Sequence, residues 1–175
     1  MQMDNQYRYA GIDPCEVCNG LGFGVTLYTQ GCSHHCEGCH NPSTWDPDGG
    51  KILDDDAASL LFERLDDPNI RRLTISGGEP FEARNALTVK VADALKGIYP
   101  EKKLWIYTGY TFEELMAMHD SDILWTISLC DVLVDGPFIL AERDITLPFR
   151  GSRNQRIIDV PATLASGHVV ELEVT

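Results

Sequence analysis

The chain has 175 residues and a mass of 19.5 kDa, which is the size of one folded domain. Its 43% hydrophobic and 23% charged residues exclude a mostly disordered chain. The formal net charge of −13 argues against nucleic acid or an anionic membrane as the main partner, and no apolar run reaches the roughly 18 residues of a spanning helix. Because the first residues lack the apolar core of a secretion signal, we expect a single cytoplasmic domain over 1–175, with a short polar segment at 1–23.

Strands and helices alternate along the rest of the chain. Runs rich in β-branched and aromatic residues predict strands at 24–30, 72–76, 104–109, 131–134, 156–160 and 168–174. Apolar residues at helical spacing predict helices at 55–66, 85–99, 111–118 and 122–129. Asp54 is a candidate cap for the first of these helices, and Thr111 with Glu114 forms a capping box for the third. The alternation predicts the α/β class with mainly parallel strands.

Four loops of unusual composition each follow a predicted strand. They are the Cys-rich loop 31–50, the GGEP turn at 77–80, Thr108-Gly109-Tyr110 and Asp135-Gly136-Pro137. The carboxyl ends of parallel strands meet at one edge of a sheet, and ligands of such folds bind there. We therefore expect all four loops to face one site.

The Cys-rich loop carries three thiols in the spacing Cys-x3-Cys-x2-Cys. Cys32, Cys36 and Cys39 are suited to three corners of a cubane iron–sulfur cluster, because thiolates are soft anionic donors. A cluster held in this way keeps one iron open, and an open iron can bind a substrate directly. The loop is also longer than most structureless connections, which favours a functional role.

Structural zinc is the alternative interpretation of the same residues. Cys15 and Cys18 form a plausible ligand pair, and His34, His35 and His40 are candidate further ligands. Spacing alone leaves zinc open, although a three-Cys loop after a first strand, with a Gly-rich turn after the next strand, favours the cluster.

Several segments together resemble a known family. These are GCSHHCEGCHNPSTW (31–45), SGGEP (76–80), WIYTGYTFEEL (105–115), DVLVDGPF (131–138) and FRGSRNQ (149–155). The first is similar to the cluster loop of radical S-adenosylmethionine enzymes. The set as a whole resembles the activating proteins of the anaerobic (class III) ribonucleoside-triphosphate reductase.

The resemblance implies a fold, cofactors and a partner. The fold is an incomplete (βα) barrel, and Cys32, Cys36 and Cys39 hold a [4Fe-4S] cluster whose open iron binds S-adenosylmethionine. The reaction generates a glycyl radical on the reductase, which is the protein substrate. An electron donor such as flavodoxin or ferredoxin supplies the reducing electron. No catalytic side chain is required, because the cofactors carry the chemistry.

The same resemblance implies residues that contact S-adenosylmethionine. Gly77, Gly78 and Glu79 hold the methionine amino end, with the Glu79 carboxylate facing an ammonium group. The alternative for Glu79 is an acid in the first turn of a helix, where acids are favoured. Thr108, at the end of a strand, reaches the ribose or carboxylate, unless it serves only the turn.

The adenine contacts are implied to come from the backbone around the last Cys of the loop. Gly38 and His40 flank Cys39 and supply these contacts. Many members of the superfamily have an aromatic residue where Gly38 stands, so a side-chain contact is missing here.

Some alternatives and residues stay open at this point. The chain is also compatible with an activase of another glycyl radical enzyme, such as pyruvate formate-lyase, and with a zinc-stabilised binding module that has no catalytic activity. Cys15 and Cys18 are expected to be plain buried thiols, and Cys130 a core residue. Three roles are open for the Arg-rich segment 143–156: it contacts the ligand carboxylate, it contacts the reductase, or it is a solvated loop.

Overall fold

The computed structural model describes residues 7–82 and 86–174, and its centre is a seven-stranded sheet. The strands are β1 (Arg8–Glu16), β2 (Gly24–Thr29), β3 (Lys51–Ile52), β4 (Arg72–Gly77), β5 (Lys103–Tyr107), β6 (Val132–Asp135) and β7 (Arg156–Asp159). Their order across the sheet is β3-β1-β2-β4-β5-β6-β7. Strands β2, β4, β5 and β6 are parallel to one another, while β1, β3 and β7 are antiparallel to their neighbours. The α/β class with a mainly parallel sheet is confirmed, and the sheet is open.

The described ranges contain five α-helices, of which four lie between strands and the last follows β7, and local capping explains where several of them begin. They are α1 (Asp55–Leu65), α2 (Ala86–Ile98), α3 (Phe112–Ala117), α4 (Ser121–Leu129) and α5 (Val160–Ser166). Asp54 accepts a hydrogen bond from the Ala57 N–H, and both bonds of the predicted Thr111–Glu114 capping box are present. The predicted start of α2 at Asn85 lies outside the described residues. Among the helices of the described ranges, none has the length and apolar character to span a membrane.

The two ends of the chain differ from the sequence-based expectation. Segment 1–23 was expected to be a short polar segment without a strand, but its described residues contain β1, which pairs with β2 through Ile12 and Leu27. Segment 168–174 was expected to be a strand, but it makes only an isolated bridge from Glu171 to Ile158. The reason is that α5 directly follows β7: Asp159 accepts a hydrogen bond from the Ala162 N–H and caps this helix.

The two faces of the sheet carry different side chains, because successive residues of a strand point to opposite sides. One face packs against the helices and forms the main core; its strand residues include Val25, Leu27, Leu73, Ile75, Leu104, Ile106 and Leu133. The opposite face carries a smaller cluster of Trp105, Val132, Val134 and Ile157. We call this opposite side the helix-free face, since the residues packed against its cluster come from β5 and from loop or tail segments in the described part of the chain.

A buried ion pair occupies the helix-free face where β2 and β4 begin. Arg72 is fully buried, and its Nη1 donates to Glu16 Oε1 at 2.6 Å. Glu16 also accepts hydrogen bonds from the Thr26 hydroxyl at 2.7 Å and the Asn19 N–H at 2.8 Å. A side chain at Gly24 would collide with the Arg72 guanidinium, which explains why a glycine opens β2.

This pair predicts an acid-sensitive contribution to stability. Burial raises the pKa of Glu16, but hydrogen bonds from Arg72 and Thr26 lower it more, so the net pKa lies below its ordinary value. The stabilisation is therefore present above the ordinary carboxyl pKa and is lost as pH falls through the folded-state pKa. We expect Glu16→Gln to lower the free energy of unfolding at pH 7 by about 3 kcal/mol, because Arg72 stays buried without its counter-charge.

Urea unfolding across the acid range measures this effect. The wild-type protein should lose stability on acidification more steeply than the Glu16→Gln variant. Glu63→Gln, on the exposed side of α1, is the matched control and should leave the midpoint unchanged. Equal midpoints for Glu16→Gln and wild type at pH 7 would contradict the prediction.

Candidate metal centre at the carboxyl end of the sheet

The Cys-rich loop is closed at its base by hydrogen bonds. The Gly31 N–H donates to the Thr44 carbonyl at 2.8 Å, and the Cys32 N–H donates to the Trp45 carbonyl at 3.2 Å. The Gln30 amide, which is buried, donates to the carbonyls of Ser43 and Asp46 at 3.0 and 2.7 Å. The base of the loop is therefore fixed, although most of its length has no regular structure.

The three loop thiols are half-buried and belong to one short stretch of backbone. The Cys39 N–H donates to the Cys36 carbonyl at 3.1 Å, and Cys39 Sγ accepts a hydrogen bond from the Asn41 N–H at 3.4 Å. Over residues 7–82 and 86–174, no three His, Cys, Asp or Glu side chains converge on a point where they could hold one metal ion. The donor set that the loop offers is three thiols, and soft anionic thiolates are the ligands that the irons of a cubane cluster bind.

The surroundings of Cys32 disfavour the charged form of its thiol. Burial raises the pKa of its thiol to about 11, and the charges of Glu79 and Glu82 add to this effect against hydrogen bonds from the His34 and His35 N–H groups. The free thiol is thus protonated at neutral pH. Binding of iron at this position must release that proton.

The GGEP turn is attached to the base of the Cys-rich loop. The Gly78 N–H donates to the Thr29 carbonyl at 2.9 Å, and the Glu79 N–H donates to the Gly31 carbonyl at 2.8 Å. Gly77 has a φ of +101°, and a side chain at Gly78 would collide with the Gly31 carbonyl. Two glycines are therefore required for the turn to approach the loop this closely.

Glu79 joins three of the four loops. Its side chain is 1% exposed and accepts hydrogen bonds from the Thr108 hydroxyl at 2.8 Å and the Gly109 N–H at 2.8 Å. It also accepts from the Phe81 N–H at 3.1 Å and from His34 Nε2 at 3.1 Å. The alternative role as a helix-start acid is wrong, because the described part of α2 begins only at Ala86.

The sequence analysis considered His34 only as a candidate zinc ligand, and the structure places its ring against Glu79. Its hydrogen bond with Glu79 is the main cause that raises its pKa, which favours the protonated ring. The ring also contacts the Tyr110 ring at a centroid distance of 4.5 Å and leaves no room for a side chain at Gly109. A neighbouring acid, Glu82, accepts a hydrogen bond from the Ser33 N–H at 2.6 Å. No local sequence signal indicates either contact, since the partners are at least 45 residues apart in the chain.

The other expected contact residues border the fourth loop. Gly38 has a φ of +74°, and a Cβ there would lie 2.9 Å from Leu140 Cδ1. The His40 ring lies 6.2 Å from the Phe138 ring, centroid to centroid. Thus Gly77, Gly78, Glu79 and Thr108 form one group with His34, while Gly38, Cys39 and His40 lie beside the segment that follows β6.

The remaining thiols are distributed differently from the expectation. Cys15 and Cys18 are exposed, not buried, because the Glu16 side chain between them points inward to Arg72. Cys130 is buried as expected, at 2% exposure. Cys15 and Cys18 flank the strand ends opposite to the Cys-rich loop, since Glu16 pairs with Gly24 at the start of β2.

Three arginines of the Arg-rich segment contact neighbouring residues of the same chain. Arg156 donates to Asp135 and to Glu113, and hydrogen bonds to these two carboxylates raise its pKa. Arg150 donates to the Gln155 carbonyl at 3.1 Å, and Arg153 lies 3.8 Å from Asp144. Arg153 remains exposed, whereas Arg156 fixes the end of β6 to α3.

Comparison with known proteins gives a consistent result. Residues 18–158 match the family model described as a 4Fe-4S single cluster domain. The chain is 37% identical to the anaerobic ribonucleoside-triphosphate reductase-activating protein of Haemophilus influenzae over 153 residues, covering 86% of this chain and 96% of the relative. The proteins of the same name from Vibrio cholerae and Escherichia coli K12 are 38% and 34% identical over 156 and 151 residues, covering 87% and 85% of this chain and 96% of each relative. The matched region includes all three loop thiols and the GGEP turn.

Proposed function

Because the chain belongs to the family of anaerobic ribonucleoside-triphosphate reductase-activating proteins, we propose that it generates a glycyl radical on such a reductase. The observation that supports this most directly is the convergence of the Cys-rich loop, the GGEP turn and the end of β5 on Glu79. The convergence brings a loop with three thiols next to a glycine-rich turn, which suits a cluster with a second ligand beside it.

In this proposal, Cys32, Cys36 and Cys39 hold a [4Fe-4S] cluster and leave one iron for S-adenosylmethionine. When bound, the two cofactors would supply the one-electron reduction that breaks a carbon–sulfur bond of S-adenosylmethionine and, through it, the removal of a hydrogen atom from glycine. The protein itself positions them and excludes water. The hydrogen bonds at the base of the loop keep the three thiols on one short, fixed segment.

In the same proposal, the residues around Glu79 bind S-adenosylmethionine. Gly77 and Gly78 let the backbone approach the methionine end, and Glu79 with Thr108 supplies the polar contacts. Glu79 is already bonded within the protein, so it orients Thr108 and Gly109 as well as facing the ligand. Backbone groups of Gly38, Cys39 and His40 contact the adenine.

The wider expectations belong to the same proposal. The fold we propose is the incomplete (βα) barrel of radical S-adenosylmethionine enzymes, as one domain over 1–175; the open sheet, with four parallel strands and helices packed on one face, supports it. The electron donor is a flavodoxin or ferredoxin, and the protein acts in the cytoplasm without nucleic acid or membrane partners.

Electron spin resonance tests the proposed function. The reconstituted protein, reduced in the presence of S-adenosylmethionine and the cognate reductase, should produce a glycyl doublet. The same reductase with its radical glycine replaced by Ala should give no doublet and should still form the complex. A doublet on pyruvate formate-lyase but not on the reductase, or a protein that holds zinc without iron and sulfide, would contradict the proposal.

A further inference from the structure

Cys15 and Cys18 are two free, exposed thiols that the proposed function does not use. They lie where β1 ends and β2 begins, at the opposite end of β2 from the Cys-rich loop, because Glu16 pairs with Gly24. The histidines of that loop are therefore too far away to join them at one zinc ion. The spacing Cys-x2-Cys is nevertheless the one with which many proteins present two thiolates to zinc.

The turn between the two thiols is held in place from the inside. The Glu16 carboxylate accepts hydrogen bonds from the Cys18 N–H at 2.6 Å and the Asn19 N–H at 2.8 Å, and it pairs with the buried Arg72 at 2.6 Å. Glu16 thus occupies the inner side of the turn, and both thiols remain exposed. A turn fixed in this way presents two ligands with little loss of conformational freedom on binding.

The pair supplies only half of a zinc site. A structural zinc ion is held by four ligands at the corners of a tetrahedron. Among the residues that the structure describes, no third His, Cys, Asp or Glu joins Cys15 and Cys18 in a group that could hold a metal ion. A second copy of the chain, related by a twofold axis, brings an identical pair, because such an interface places the same residues on both sides. Two copies together offer four thiolates.

The surface around the pair suits contact with a second copy. Val17, Leu21 and Phe23 are 53%, 49% and 54% exposed. The net charge of −13 repels a second copy from most of the molecule. The only charged side chain within residues 14–23 is Glu16, which is already paired inside its own chain. Two copies can therefore meet at this segment without like-charge repulsion between its side chains, and the contact removes apolar surface from water on both.

We propose that Cys15 and Cys18 of two copies bind one zinc ion between them and that residues 14–23 form the surrounding contact. Each thiol releases its proton on binding, and no electron is transferred. Four thiolates give the site a net negative charge, and the exposed Arg71, whose N–H donates to the Phe23 carbonyl at 2.8 Å, borders the segment in both copies. Because the site lies at the other end of β2 from the Cys-rich loop, the inference does not depend on the proposed function.

Zinc titration under anaerobic conditions tests the inference, with cluster-loaded protein from which a mild chelator has removed loosely bound metal. Without zinc, both exposed thiols should react with a maleimide. Addition of Zn²⁺ should double the mass measured by light scattering, at about one zinc ion per two chains, and should block the maleimide reaction. X-ray absorption at the zinc edge should show only sulfur ligands, at about 2.3 Å.

Three variants separate the metal from the surrounding contact. Cys18→Ser should abolish the zinc-dependent doubling of the mass and keep the wild-type content of iron and sulfide. Cys130→Ala is the matched control: its thiol is buried, so the variant should still double its mass with zinc. Phe23→Ser keeps all four ligands but removes an apolar side chain from each copy, so the dissociation constant of the zinc-bound dimer should rise roughly 10- to 100-fold.

Several results would overturn this inference. They are a mass that zinc does not change, zinc bound at one ion per chain, nitrogen or oxygen ligands in the absorption spectrum, and equal zinc-dependent doubling in Cys18→Ser and wild type. Wild-type dissociation of the Phe23→Ser dimer would overturn the contact surface. None of these results bears on the proposed function, which is decided separately by the glycyl doublet.

Discussion

Replacing Cys36 by Ala is expected to abolish the iron–sulfur cluster and, with it, the cleavage of S-adenosylmethionine. The loop offers three thiols for three irons, and the loss of one exposes a second iron to solvent and to loss. Cys32→Ala and Cys39→Ala should behave in the same way. Iron and sulfide per chain and the visible absorption of the anaerobically reconstituted protein measure the result.

Cys18→Ala is the matched control for these variants. Cys18 is exposed and lies near the strand ends opposite to the Cys-rich loop, so its loss should leave the cluster content unchanged. Cys130→Ala should also keep the cluster, because Cys130 is a core residue bonded to backbone carbonyls. Full cluster content in Cys36→Ala would refute the assignment of the three ligands.

The second large effect is expected for Glu79→Gln. The carboxylate accepts hydrogen bonds from Thr108, Gly109 and Phe81, and an amide would turn its NH2 group toward at least one of these donors. In the proposed complex, the variant also loses the charge-assisted bond from the ligand ammonium group to the carboxylate, and loss of such a bond costs about 1.5–3 kcal/mol. We therefore expect S-adenosylmethionine to bind roughly 10- to 150-fold more weakly, at 1.4 kcal/mol per factor of ten. Calorimetry on the cluster-loaded protein measures the change.

Glu82→Gln serves as the control for this variant. Glu82 accepts the Ser33 N–H on the border of the same loop, and a glutamine keeps one oxygen for that bond. The affinity of the Glu82→Gln variant for S-adenosylmethionine should stay within a factor of about three of the wild-type value. The reason is that one neutral hydrogen bond replaces a charged one, at a position less buried than Glu79. Wild-type affinity in Glu79→Gln would show that Glu79 only joins the loops and does not bind the ligand.

The features that could be predicted from the sequence are those set by local patterns. Asp54 and the Thr111–Glu114 box determine helix starts through hydrogen bonds within one turn of the chain. The GGEP turn and the Cys-rich loop follow their strands directly, so their common location followed from the parallel order of β2 and β4.

Features that depend on distant partners could not be predicted. Glu16 has the local character of an exposed acid, and only Arg72, 56 residues away, makes it a buried one. The exposure of Cys15 and Cys18 is a consequence of that pairing. Apolar and polar residues alternate in segment 168–174 as they do in a strand. Because α5 directly follows β7, the segment comes back only to the edge of β7, where it makes a single bridge. The bonds of Glu79 to Thr108 and His34 likewise span 29 and 45 residues.

The positions of Cys15 and Cys18 allow the protein to be attached to a surface in one defined orientation. The six residues of β2 separate this pair from the Cys-rich loop by about 20 Å, at about 3.3 Å per residue. With the loop thiols bound to iron and Cys130 buried, a maleimide-coated electrode would capture the protein through these two thiols alone. Every captured molecule would then turn its loop edge toward the solution, where a soluble redox protein can reach it. Voltammetry of such a film would record the reduction potential of the cluster in a uniformly oriented layer.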